Sequence, residues 1–209
     1  MSPLELIPKQ EYADIHSVGI PQALLYYRYH VLWRTFFESL GCNVIESEPS
    51  DRALLSLGEQ YSIDECCLAS KLYMGHVESL LDTCDAVFVP SIDNLGLHKG
   101  FCTKFQALPD LVANTFASRN PRIISCEIDK DDTGISAEEA YVSLAVKFGR
   151  TKKQAKSLYQ DALHAQKKHN EALAHKQATL LKDAEKLPAQ ERPLRILSLI
   201  HISEPTRPY

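Results

Sequence analysis

From Ser17 onward, apolar and polar positions repeat one pattern: a short β-branched or apolar run, then a stretch whose apolar residues recur every three or four positions. "SVGIPQAL" (17–24), punctuated by Gly19 and Pro21, predicts a first strand running into a loop. In "YYRYHVLWRTFFESLG" (26–41), Leu32, Trp33, Phe36, Phe37 and Leu40 line one helical face, and Gly41 is placed as a C-cap. "CNVIES" (42–47) reads as a second strand, followed by a helix through "DRALLSLGEQY" capped by Asp51 or Ser50. The same alternation gives a helix over 67–83, a strand over 84–92, an interrupted helix over 103–118 and a strand over 121–129. Strands alternating with helices predict an α/β, Rossmann-like domain over 17–130, behind an N-terminal arm (1–16). Its strands near 17–21, 42–47, 84–90 and 121–127 should be parallel neighbours in a sheet covered on both faces.

Beyond "DKDDTG" the period becomes helical throughout, forming a helical segment over 135–187. "SAEEAYVSLAVKFG" predicts one helix, and residues 151–186 a much longer one with Thr151 as N-cap. Thirty-six helical residues extend about 54 Å, so this helix is expected to leave the first domain as a solvated bridge. "LPAQERPLRI" ends it at Pro188, and residues 188–196 read as the start of a second, truncated α/β domain. The string "LSLIHISEPTR" (197–207) resembles a translated tagmentation adapter from short-read library preparation. Residues 197–209 are therefore set aside as an artefact, with the natural chain expected to continue past Ile196.

Composition narrows the function classes. The 209 residues are 44% apolar and 24% charged with a formal charge of -4, which fits a globular chain with a sizeable core. The acidic balance argues against a nucleic-acid surface. No apolar run approaches the roughly 20 residues that span a bilayer, and the N-terminus lacks a basic start, so no membrane role and a cytoplasmic setting are expected. There, the cysteines Cys42, Cys66, Cys67, Cys84, Cys102 and Cys126 read as apolar filler, metal ligands or reactive thiols rather than disulfides.

The segment "DECCLASK" (64–71) places two of them side by side. Successive side chains diverge, so at most one of Cys66 and Cys67 works, with partners from elsewhere. In a parallel α/β sheet every strand ends, and every helix begins, at one edge. Cys67 lies at the start of the third helix, and the loop "DNLGLHKGFC" returns Cys102 to the start of the next. Both sulfurs should then meet near helix N-termini, whose partial positive charge favours thiolate and metal ligation. Cys42, Cys84 and Cys126 flank strands as small hydrophobes, and Cys66 reads as filler. No Gly-rich phosphate loop or nucleophile with a base is found.

The stretches "GIPQALLYYRYHVLWRTFFESLGCNVIESEPSD", "SIDECCLASKLYMGHV", "VFVPSID" and "FCTKFQALPDLV" resemble the uncharacterised domain associated with 2-hydroxyacyl-CoA dehydratase activases, over roughly residues 17–196. Asp64, Glu65, Cys67, Leu68 and Lys71 fall on its first cysteine motif, Gly75 and His76 on its Gly-His, and Cys102, Lys104 and Phe105 on its second cysteine motif. The sequence departs at Gln22, where arginine is usual, and at Ala69 and Thr103, where the pattern has proline. The resemblance implies a 4Fe-4S cluster with Cys67 and Cys102 as two ligands and a third from the truncated domain. Lys71, His76 and Lys104 would tune it. It further implies electron transfer to, or dehydration of, CoA thioesters, with an activase ATPase or dehydratase subunit as partner. The second reading is a non-catalytic, partner-binding module whose cysteines are structural or hold zinc.

Overall fold

The computed structural model describes residues 11–96 and 100–193. The opening unit of the chain, ending at Lys167, is an α/β domain. β1 (Ser17–Ile20), α1 (Tyr26–Ser39), β2 (Asn43–Glu46), α2 (Arg52–Gln60), α3 (Leu68–Leu80) and β3 (Ala86–Phe88) come first. β4 (Ser91–Asn94), α4 (Thr103–Gln106), α5 (Leu108–Thr115), β5 (Ile123–Ile124), β6 (Glu127–Asp129) and α6 (Ala137–Lys147) follow, and α7 (Lys152–Lys186) carries the chain into the second unit. The four-stranded sheet has the order β2-β1-β3-β5 and is parallel throughout, as the alternating pattern predicts.

The runs of β3 and β5 continue past this sheet as a parallel pair, β4 with β6. Sequence periodicity reads 84–92 and 121–129 as one strand each, whereas Pro90 divides the first of them because it has no N–H for the ladder. On either side of it the ladder holds: Val89 N donates to Ile124 O at 2.8 Å and Ser91 N to Cys126 O at 2.9 Å.

A core lies on each face. Along β3 the pleat sends Ala86 and Phe88 to one side, and Val87 and Val89 to the other. Phe88 packs edge-on against Trp33 and Phe37 of α1, with ring centroids 5.3 and 4.9 Å apart. The opposite core takes Tyr73, Met74, Val77 and Leu80 from α3, and Leu108 and Val112 from α5. α6 and the start of α7 belong to this unit rather than to a separate helical segment. Tyr141 stacks on Tyr159 at 5.2 Å and accepts from Trp33 Nε1 at 2.8 Å, while Ala155 and Ala162 are small enough to be wholly buried there. Thr151 caps α7, its hydroxyl accepting from Gln154 N. In the second unit Leu173, Leu180 and Leu181 are exposed. The expected strand at 194–196 and the adapter-like tail lie outside the described residues.

α2 and α3 are in backbone contact. A Cβ on Gly58 would lie 1.9 Å from Lys71 O, and one on Gly75 2.2 Å from Leu54 O. Only glycine permits this approach at both positions.

Candidate functional site around Cys67 and Lys104

Cys67 is the N-cap of α3 and Cys102 the N-cap of α4; both thiols are exposed and neither side chain caps its helix. The two helix starts are tied through Lys104, two residues after Cys102. Its ammonium lies 3.9 Å from Cys67 Sγ and 3.4 Å from Ser70 Oγ. Ser70 Oγ is 3.3 Å from Cys67 Sγ. The Ser70 hydroxyl first, then the Ser70 backbone N–H and the Lys104 charge, hold the Cys67 thiol below its ordinary value. An exposed sulfur biased toward thiolate beside two donors is suited to metal ligation or to attack on an electrophile.

α4 is only four residues long, because Pro109 stands at the beginning of α5 and cannot continue an α4 ladder. The dipole expected at Cys102 is therefore that of a single turn, while Cys67 begins a helix of thirteen residues.

The remaining cysteines differ in environment. Burial pushes the Cys42 thiol up to about 11 and the Cys126 thiol up to about 12. Cys84 is also raised by burial, and its Sγ donates to Leu80 O at 3.2 Å. Cys66 is half-buried, and its backbone N–H closes a turn onto Ile63 O.

His76 stands away from solvent. It is fully buried between Ser47 Oγ, 2.8 Å from Nδ1, and Ser50 Oγ, 2.9 Å from Nε2. Gln22 N donates to Ser47 Oγ at 2.8 Å. Ser47 can then donate to Nδ1 while Nε2–H donates to Ser50, an assignment that uses each group of a neutral imidazole once. Burial lowers the His76 pKa to about 4. This ring joins α3 to the loops that leave β1 and β2. Lys71 is half-buried on α3, with its carbonyl against Gly58.

Sequence reading passed over Ser70, although its position one helical turn after Cys67 is visible in the spacing. It also passed over Asp93, Asp129 and Asp132, whose carboxylates converge where β4 and β6 end. That cluster is occupied internally: Asp129 accepts from Asn94 Nδ2 at 2.6 Å, Asp132 N at 3.1 Å and Thr133 N at 3.2 Å.

The family described as the CoA enzyme activase uncharacterised domain matches residues 17–209, and the chain belongs to that family. No curated protein and no solved structure matches significantly. Among the described residues no helix is long and apolar enough to cross a membrane.

Proposed function

We propose that this activase-related domain serves a redox system acting on CoA thioesters, with Cys67 and Cys102 as two thiolate ligands to a 4Fe-4S cluster. The single observation that supports this most is the Lys104 bridge. It links the helix that Cys102 begins to the sulfur of Cys67, and it supplies an ammonium beside that sulfur. Iron-sulfur clusters are held by thiolates and tuned by charge and hydrogen bonds around the sulfurs. On this reading the cysteine pair would supply two ligands of such a group, and a third would come from another segment of the full protein. Bound there, the cluster would supply one-electron transfer. Lys104 and Ser70 would donate to the Cys67 sulfur, whereas Lys71 and His76 would act through the position of α3. The partner under this reading is an activase ATPase or a dehydratase subunit.

A second reading is a partner-binding module with structural or zinc-holding thiols, and the apolar side chains Leu173, Leu180 and Leu181 that α7 leaves exposed favour it.

The test is anaerobic reconstitution of the full-length protein with iron and sulfide. A brown protein that loses its colour on Cys67→Ser or Cys102→Ser, and keeps it on Cys66→Ser or Cys42→Ser, is the expected result. Colour that survives Cys67→Ser, or a protein that takes up zinc and no iron, would overturn the cluster reading.

A further inference from the structure

β5 and β6 lie at the edge of their sheets, on the side away from β3 and β4. On the inner side the carbonyls of Arg122, Ile124 and Cys126 accept from Val87 N at 2.9 Å, Val89 N at 2.8 Å and Ser91 N at 2.9 Å. Backbone groups point to alternate sides along a strand, so those of Ile123, Ser125 and Glu127 face outward. No hydrogen bond takes them up among the described residues. Asp129 is the next outward position, and there the chain closes the edge on itself. Asp129 N donates to Ile135 O at 3.1 Å, and Ile135 N to Asp129 O at 3.0 Å. The pairing ends after this single rung because Ser136 caps α6 and the chain turns into the helix. Residues 123–127 therefore present an open edge, roughly 16 Å long at about 3.3 Å per residue.

A groove of about 850 Å³ runs beside Ser125 and Glu127, with Pro109 and Asp110 of α5 in one wall and Glu139 and Ser143 of α6 in the other. Its size is within the roughly 300–1,000 Å³ usual for binding sites. Ile124, Cys126 and Ile128 point into the core shared with α1 and α6, so the pleat puts Ser125 and Glu127 on the α5 face with Asp110. The groove carries three carboxylates, Asp110, Glu127 and Glu139, against the ammonium of Lys147. Lys147 is paired with Glu11 at 3.3 Å, and Glu139 accepts from Ser136. Asp110 and Glu127 are exposed, and neither forms an ion pair among the described residues.

We propose that this edge takes an extended segment of a partner protein as an added strand, with lysine or arginine at alternate positions over Asp110 and Glu127. Main-chain hydrogen bonds to an open edge give such a complex its affinity, and alternate side chains give it selectivity. The carboxylates disfavour acidic strands. They also disfavour a second copy of this chain, which brings the same carboxylates into one groove. Neither Cys67 nor Cys102 lines the groove, so the site stands apart from the cluster.

The probe is a fluorescein-labelled hexapeptide of alternating lysine and valine, titrated into the full-length protein and read by fluorescence anisotropy. Saturable binding is expected, weakened about fivefold by Glu127→Lys and lost when glutamate replaces lysine in the peptide. Only every second N–H of an added strand points to the edge. Methylating the backbone nitrogens of one set, the lysines or the valines, should therefore abolish binding, while methylating the other set leaves it intact. These peptides test the edge without altering the protein. Ser125→Pro removes an outward N–H that has no partner, and it should abolish binding with the unfolding temperature nearly unchanged, whereas Ser125→Ala should bind as wild type does. An absence of saturation, equal loss from both methylations, or binding that survives in a folded Ser125→Pro would overturn the proposal. So would a full-length dimer that Ser125→Pro converts to monomer in sedimentation, because a second copy would then hold the edge.

Discussion

Replacing His76 by glutamine should remove a large part of the chain's acid sensitivity between pH 7.5 and 5. The ring is fully buried between two serine hydroxyls, and burial lowers its pKa to about 4 from an ordinary value of about 6.5. A histidine with a depressed folded pKa binds its proton later in the folded than in the unfolded state. Its stabilising contribution is thus complete above about pH 6.5 and is lost as pH falls toward about 4. Proton linkage across these two values gives a loss of about 2 kcal/mol between pH 7.5 and 5. For a chain of this size that corresponds to a drop of about 4–8 °C in Tm. Most carboxylates remain ionised at pH 5, so the window isolates histidine. Thermal unfolding of wild type and His76→Gln across that range checks the expectation: the variant starts less stable at pH 7.5, and the two curves converge as pH falls. Parallel curves would show that the ring is accessible to protons in the folded protein and would refute the account of its environment.

Gly75→Ala should lower stability by about 2 kcal/mol or more, read as a shift of the urea midpoint. The new Cβ meets the Leu54 carbonyl at 2.2 Å, and the roughly 1 kcal/mol gained in helix propensity does not offset a clash with backbone. Asp51→Ala should cost about 1 kcal/mol in the same assay, since the Asp51 carboxylate accepts from Leu54 N at 2.8 Å and caps α2. Timed iodoacetamide labelling read by mass spectrometry should modify Cys67 before Cys42 and Cys126. Ser70→Ala should slow Cys67, because the hydroxyl that favours its thiolate is gone.

The parallel sheet was legible because β3 lies inside a continuous apolar run, "AVFV", flanked by helical periods, and such a run has few other placements. Its division at Pro90 was less legible, since a proline can also simply end a strand; only the hydrogen bonds from Val89 and Ser91 reveal a ladder that resumes. The place of α6 and the start of α7 was missed for a reason of size. Ala155 and Ala162 give a weak hydrophobic signal, yet small residues are what allow a helix to sit close to Tyr141 and Trp33. At the site, the positions of Cys67 and Cys102 at helix starts follow from chain alternation. The reach of Lys104 to Cys67 does not, because it depends on the separation of two side chains 37 residues apart. His76 shows the same limit: its two serine partners come from the loop after β2, and no local pattern announces them.

The glycine contact between α2 and α3 also bears on how motion reaches the cysteines. With Gly58 against the Lys71 carbonyl and Gly75 against that of Leu54, neither helix can slide past the other without driving backbone into backbone. The pair therefore moves as one rigid lever. Arg52, Ala53, Ser56, Glu59 and Gln60 are exposed along the length of α2, and Gly58 near its C-terminal end lies against Lys71, one helical turn after Cys67. A load on the exposed face of α2 would therefore reach the first turns of α3 as a shift of both helices together instead of being absorbed by sliding between them.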